Sequence, residues 1–210
     1  MKDLIIISAG DFARETAWAA ERSGQWNILG FVDDDEKKIG TLIDGCKVLG
    51  NIEWLKNYNK EIYVTCAVGT GQVRKKIWER LAENRKLLRG TVIDPAAIIG
   101  KDCIIGEGSI ICAGTVITIN AKLGINCILN LNCTVGHDAV LGDYFTAHPG
   151  TNISGKTVFE ECVYAGTGVK VLQGLHITAN TTLGAGCVVV KDITEAGTYV
   201  GVPAGKRFIM

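Results

Sequence analysis

The 210-residue sequence predicts two folds in succession. A small Rossmann-like α/β domain spans residues 1–91, and a parallel β-helix of hexapeptide repeats spans 92–210 and ends in a short capping segment. Three observations lead there. Residues 1–91 alternate short apolar runs with stretches of helical spacing. From residue 93 an aliphatic or small residue returns at every sixth position, seventeen times without an insertion. Glycine is abundant, 26 against 3 prolines, which points to many tight backbone turns rather than disorder.

In the first part, "LIIIS" (4–8) reads as a buried strand. The following "AGDFARETAWAAERSG" sets Phe12, Ala13, Ala17 and Ala20 broadly along one side of a helix. "NILGFVDDD" (27–35) is a second strand running into acids, and "EIYVTCAVG" (61–69) is a third. "QVRKKIWERLAENRK" then places Val73, Ile77, Trp78 and Leu81 at helical intervals. Alternation of this kind implies a small parallel sheet with helices packed on its faces.

The second part is ruled by its period. The sixth-position residues run from Ile93 through Ile111, Leu129, Ala147, Ala165 and Leu183 to Val189. Four places after each comes a second restricted set that includes Cys103, Ser109, Thr115, Ala121, Cys127, Cys133, Ala139, Thr151 and Cys187. A period of six is that of a parallel β-helix in which three hexads close one triangular coil. The aliphatics then point inward, the second set must be small to fit beside them, and several cysteines become packing thiols. Residues 18 apart lie one above the other, about one strand spacing (~4.8 Å) away, so the unbroken register works as a ruler. The open ends of such a solenoid need covers. The N-terminal domain is expected to cap one and the tail "EAGTYVGVPAGKRFIM" the other.

Composition excludes several roles. The chain has 22 basic and 22 acidic residues, so nothing suggests electrostatic capture of nucleic acid or of an anionic membrane. No apolar run approaches the ~18–20 residues of a membrane span, and "MKDLIIISAG" is too short for a signal-peptide core. A cytoplasmic protein is expected. None of the eight cysteines forms a C-x-x-C pair, so the spacing of a zinc site is missing and reduced structural thiols are expected.

The chemistry-bearing stretch is "TVGHDAVLGD" (134–143). His137 and Asp138 fall at the third and fourth positions of their hexad, where the chain turns a corner and side chains point outward. One coil above His137 is Gly155, which has no Cβ to hide its backbone N–H. One coil below His148 is Asn130, both facing out. The ruler gathers His137, Asp138, Gly155, Asn130 and His148 around neighbouring columns on one edge. A histidine beside a carboxylate is held in one tautomer and suits proton abstraction. A free N–H nearby suits an oxyanion. A solvated His-Asp turn has the same sequence, and the residues alone leave both readings open. His176 reads as surface.

The pieces "SAGDFARE", "FVDDD", "AVGTGQVRKKI", "INAKLGINCILNLNCTVGHD" and "GAGCVVVKDI…GVPAGK" together resemble the PglD/NeuD family of bacterial sugar acyltransferases. The resemblance covers nearly the whole chain and implies a left-handed β-helix. It further implies a nucleotide sugar at the N-terminal domain, acetyl-CoA along the β-helix as acyl donor, no metal, and homotrimers with active sites between neighbouring subunits. Carried over by motif, His137 is the general base and Asp138 its orienting acid. Asn130 contacts the acceptor, and the Gly155 amide holds the acetyl carbonyl. Thr167, Ala185, Lys191, Pro203 and Ala204 line the CoA channel. Outward aliphatics such as Ile104, Ile110 and Val116 suit a trimer. Transfer is direct, so no cysteine need be a nucleophile.

Three places depart from the family pattern. Its glycine-rich turn, G-x-G-G-x-G, here reads Ser8-Ala9-Gly10-Asp11-Phe12-Ala13. Such turns let N–H groups approach phosphate, but Asp11 opposes a diphosphate's charge, and helix capping is its competing role. Asp33 and Asp34 are placed to accept from a ribose or base, or are a polar strand end. Arg74 and Lys75 reach a phosphate or form a wet helix face. Finally, "V-H-x-S-P-G" becomes Thr146-Ala147-His148-Pro149-Gly150, so the histidine has moved two places. His148 either replaces the lost contact or fills the pocket. The leading expectation is an acetyl-CoA-dependent N-acetyltransferase acting on a nucleotide-linked 4-amino sugar in surface glycan synthesis. O-acyl transfer (of the sialic-acid type), another acyl donor, and a non-catalytic scaffold are its alternatives.

Overall fold

The computed structural model describes residues 1–207; Phe208, Ile209 and Met210, the end of the expected capping tail, lie outside the described residues. The first part is a six-stranded sheet built from β1 (Lys2–Ile7), β2 (Trp26–Val32), β3 (Leu42–Ile43), β4 (Cys46–Gly50), β5 (Ile62–Cys66) and β6 (Leu87–Arg89). Their order across the sheet is β3-β4-β2-β1-β5-β6, parallel except for the β3–β4 hairpin. Helices α1 (Asp11–Ser23), α2 (Ile52–Lys56) and α3 (Gly71–Leu81) connect the strands. The expected strands and both long helices are present. The hairpin, α2 and β6 come from stretches too short or too polar to show a period.

Sixth-position residues Ile93 to Val189 each form the second residue of a two-residue strand, β7 (Val92–Ile93) to β23 (Val188–Val189). Every pairing within this region joins residues 18 apart, as in Ile110↔Ile128 and Thr134↔Asn152. Three flat faces result. The first runs through Ile128–Leu129, Thr146–Ala147 and Tyr164–Ala165, the second through Thr134–Val135 and Asn152–Ile153, and the third through Val140–Leu141 and Val158–Phe159. The inward side chains join one core with Cys127, Cys133 and Cys187 filling the narrow places beside them. Fully burying such an aliphatic is worth about 1.5–3 kcal/mol, so the stack is stabilised coil by coil.

From Asp102 to Gly186 each corner turns through a left-handed residue, and this position also repeats every six: Asp102, Gly108, Gly114, Asn120, Asn126, Asn132, Asp138, then on to Gly186. Gly, Asn and Asp tolerate that conformation best, which explains most of them. Tyr144, Lys156 and Cys162 adopt it without that advantage.

The N-terminal domain does not cap the end of the prism. It lies along the first face, where α1 covers Val92, Ile110, Cys112 and Ile128 in a shared core with Ala13, Ala17 and Ala20. Ile110, expected on an open face, is therefore fully buried, while Ile104 stays exposed. The second contact is Arg74 of α3. Expected on a wet face or at a phosphate, it is fully buried and donates to five carbonyls: Val68, Gly69, Asn126, Tyr144 and Phe145. Three of these belong to the β-helix and two to the loop after β5, so one guanidinium pins the domains together. Its planar fork suits this, and a lysine's three donors could not match it. Val73, expected inward, is exposed instead, because the docked face of α3 is the one carrying Arg74. Lys75 pairs with Glu161 at 2.8 Å, a second tie between the domains.

At the far end, β24 (Thr198–Val200) extends the first face beside Thr182–Leu183 and folds back through β25 (Gly205–Lys206). Tyr199 and Ala204 pack against the last coil, as a cap must.

Candidate active site

His137 and Asp138 occupy the corner between the second and third faces. The hexad turn puts Asp138 in the left-handed conformation (φ 58°), which swings its carboxylate back to its neighbour's ring. His137 Nδ1 lies 2.8 Å from Asp138 Oδ2, and Asn120, one coil below, donates to Oδ1 at 3.2 Å. These bonds, the one with His137 first, hold the Asp138 carboxyl below the usual carboxylate range. With Nδ1 engaged, Nε2 is the nitrogen free to take a proton. It faces Gly155, where a Cβ would lie only 2.5 Å from Nε2. The Gly155 N–H makes no hydrogen bond among the described residues and stays available. Continuing by 18, the same column carries Gln173 and Lys191.

Asn130 and His148 occupy a different corner, between the first and second faces, with Thr167 and Ala185 in the coils above. The expectation of one shared edge fails for a simple reason: 130 and 137 belong to successive hexads, and each hexad turns the chain to the next side of the triangle. Here the N-terminal domain closes a groove of about 380 Å³ against the β-helix, with Asp11, Phe12 and Glu15 of α1 facing Asn130, His148 and Thr167. Asn130 is nearly buried and spends its Oδ1 on the N–H of Leu131 at 2.7 Å. Its amide nitrogen makes no hydrogen bond among the described residues. His148 packs its ring on Tyr164 with centroids 4.8 Å apart. Its Nε2 is covered and has no partner. Burial, and then the charge of Arg74, push the His148 pKa below its ordinary value.

A third feature lies at the carboxyl ends of β1, β2 and β5, the place where open parallel sheets bind ligands. Ser8, Asp33, Asp34, Ile52, Val68 and Ile77 line a pocket of about 160 Å³ there. The loop beside it is already satisfied: Ala9 N–H donates to Asp33 Oδ2 at 2.8 Å and Gly10 N–H to Ser8 Oγ at 3.2 Å. Ser8 takes φ 88°, a conformation that favours glycine. Gly10 is itself the N-cap of α1 and Asp11 makes no capping bond, so the capping role expected for Asp11 is not seen. Its side chain is fully open and leans toward Arg14 at 3.6 Å. Asp34 accepts from the Ile52 N–H and from Arg80, both at 2.8–2.9 Å. Burial raises the Asp33 pKa, but its bonds from Asp35, Ala9 and Lys38 outweigh this and leave it lowered. A wider depression of about 580 Å³ along α2 shares no residue with either corner.

Asn120 and Tyr164 escaped the sequence reading, as did the clamping role of Arg74. The first was within reach, since it is Asp138 minus 18. Tyr164 is likewise one coil above Thr146. Arg74 gave no signal, because a buried arginine without a carboxylate looks like any surface arginine.

Comparison with known proteins now bears on the chain. The PglD N-terminal domain model matches residues 3–81, and the bacterial transferase hexapeptide model (six repeats) matches 86–118. A GDP-perosamine N-acetyltransferase of Escherichia coli O157:H7 is 30% identical over 179 residues, 81% of this chain and 78% of that protein. The chain belongs to the PglD/NeuD-like family of sugar acetyltransferases. Among solved structures, the acetyltransferase domain of PglB from Neisseria gonorrhoeae superposes with TM-score 0.91 at 30% identity, covering 99% of this chain and 100% of that one. PerB from Caulobacter crescentus, solved in complex with CoA and GDP-perosamine, superposes with TM-score 0.89 at 26% identity, covering 99% and 98%.

Four of the eight cysteines lie where a thiolate is strongly disfavoured. Burial pushes Cys66, Cys112 and Cys127 up to about 12 and Cys133 to about 11, far from a nucleophile's range. Among the described residues no three His, Cys, Asp or Glu side chains are grouped for a metal, and no helix is long and apolar enough to cross a membrane. His176 is partly exposed, as expected of a surface residue, but it is not alone: Glu160 lies 3.1 Å away on the same side of the prism.

Proposed function

We propose that the chain transfers an acetyl group from acetyl-CoA to the amine of a nucleotide-linked 4-amino sugar in surface glycan biosynthesis, with His137 as general base oriented by Asp138. The observation that carries this reading is the column itself: a carboxylate-held imidazole whose Nε2 lies against a residue with no side chain and a free N–H. The GDP-perosamine N-acetyltransferase among its relatives, and PerB with its bound CoA and GDP-perosamine, support the substrate class.

In this mechanism the acceptor amine attacks the thioester carbonyl while His137 Nε2 removes its proton. Asp138 accepts from Nδ1–H and stabilises the imidazolium without taking the proton itself. The Gly155 N–H donates to the oxyanion. Collapse of the tetrahedral intermediate breaks the C–S bond and expels CoA thiolate. No covalent acyl-enzyme forms.

Residues 1–91 hold the nucleotide, with its base or ribose at the pocket rimmed by Asp33 and Asp34. The diphosphate passes outside the closed loop at Gly10. The sugar lies in the groove by Asp11, Asn130 and His148. Because Asn130, Thr167 and Ala185 stand on one corner and His137, Gly155 and Lys191 on another, a single prism cannot bring them together. A homotrimer does, by laying one corner of each copy against the other corner of the next. Acetyl-CoA then runs between copies, past Thr167 and Ala185 on one side and Lys191 on the other, with Pro203 and Ala204 at the end of the channel. The cysteines, all free among the described residues, suit the reducing cytoplasm.

The test is release of CoA thiol with a panel of UDP-, dTDP-, GDP- and CMP-linked amino sugars. Turnover with an amine and none with its hydroxyl counterpart is expected. Release only with hydroxyl sugars would replace the reading with O-acetyl transfer.

A further inference from the structure

His148 combines three features. It lines the groove, it is wedged in one orientation against Tyr164, and one ring nitrogen is sealed off without a partner. The sealed atom is Nε2. Gly69, in the loop after β5, is a near neighbour: a Cβ built on it would lie 4.0 Å from Nε2. The carbonyl of Gly69, the acceptor this loop could offer, already takes Arg74 Nη1 at 3.0 Å and Thr146 Oγ1 at 2.8 Å. A proton on Nε2 would therefore have no acceptor, and a buried orphan N–H is rarer and costlier than an unfilled lone pair. The Arg74 cation, directly behind that peptide, also favours a lone pair facing it. The other nitrogen, Nδ1, has neither a partner nor such a seal, so it is the one open to the groove.

We propose that His148 selects and orients the acceptor sugar by donating from Nδ1–H to one of its oxygens, while the buried Nε2 stays unprotonated. This rests on the acetyltransferase reading above and supplies it with a specificity residue. The groups around the ring are consistent with a neutral donor. Arg74 of α3 and burial both disfavour a charged imidazole, and Tyr164 covers one side. Asp11 and Glu15 of α1 lie across the groove. Asn130, one coil below, adds a second donor in the same column.

The experiment has two arms. Long-range ¹⁵N–¹H spectra of the intact labelled protein resolve three histidines, with His148 assigned by its loss in His148→Asn. The expected result at neutral pH is the Nδ1–H tautomer for His148; an Nε2–H tautomer overturns the proposal whatever the activity. The second arm is steady-state kinetics with the best acceptor of the panel. His148→Leu is expected to raise the acceptor KM by about tenfold, the worth of one hydrogen bond to a ligand, with the acetyl-CoA KM unchanged. His148→Asn, whose amide nitrogen falls near Nδ1, is expected to restore the acceptor KM, and His148→Gln is not. An acceptor KM unmoved in His148→Leu, or rescue by Gln rather than Asn, overturns the donor role. A wild type that releases no CoA with any nucleotide amino sugar overturns the underlying reading, and the acceptor role with it.

Discussion

The two corners of the β-helix carry two histidines on the same hexad template, yet the template gives them opposite chemistry. His137 is more than half exposed, bonded to Asp138, and stands under a residue with no side chain. His148 is half-buried, has no carboxylate, and lies behind a loop of the N-terminal domain with a buried arginine beyond it. The difference is not in the histidines' own hexads but in what stands one coil away or is brought by the other domain. A solenoid fixes where a side chain is, and its neighbours fix what the side chain can do.

Removing His137 should break the comparison most severely. His137→Ala is expected to lower kcat by about 10²–10⁴, the range for a lost general base, with melting temperature and oligomeric state unchanged by calorimetry and light scattering. An equally large loss in His148→Ala, with unchanged acceptor KM, would make the two corners equivalent and contradict the assignment.

Gly155→Ala comes next. The added methyl would meet Nε2, so the ring must turn away, and a loss of about 10²-fold or more in kcat is expected. Since Gly155 is not a left-handed residue, stability should change little, which separates a displaced base from a damaged coil. Asp138→Asn keeps the shape but not the charge. It is expected to lower kcat less than His137→Ala does and to weaken the plateau of the pH–rate profile. Because the Asp138 pKa lies below its ordinary value, the dyad should persist above the ordinary carboxylate range and be lost only as the pH falls through the depressed value.

The smallest effect sharpens the other corner. The His148 pKa is lowered by folding, so the unfolded chain binds more protons near pH 6 and stability rises with pH. That contribution is complete above the ordinary histidine value of about 6.5 and is lost as the pH falls. Melting temperatures taken from pH 7.5 to 5 should therefore drop less in His148→Leu than in the wild type. Arg74→Lys should lower the melting temperature at every pH, because three donors cannot satisfy five carbonyls.

Much of this was legible in the sequence, and the residues show why. A period of six with no insertion fixed each inward side chain, and the 18-residue ruler placed Gly155 on His137 correctly. The same ruler would have given Asn120. It could not say that residues 130 and 137 turn onto different corners, since that requires counting faces as well as coils. Nor could it show what the N-terminal domain does from outside the repeat. Ile110 is covered by α1, Arg74 clamps the domains, and Gly69 comes up beside His148. Those contacts join residues tens of positions apart in a region with no shared period.

The claim that the two corners complete one another across copies of the chain can be tested by mixing. His137→Ala disables one corner, and Thr167→Trp fills the groove of the other. Each pure variant should be nearly inactive. Co-assembled in equal amounts, roughly a quarter of the inter-subunit sites should receive both intact corners, and CoA release should recover to that fraction of wild type. Activity no higher than that of the two pure variants would mean that each site is built from a single chain.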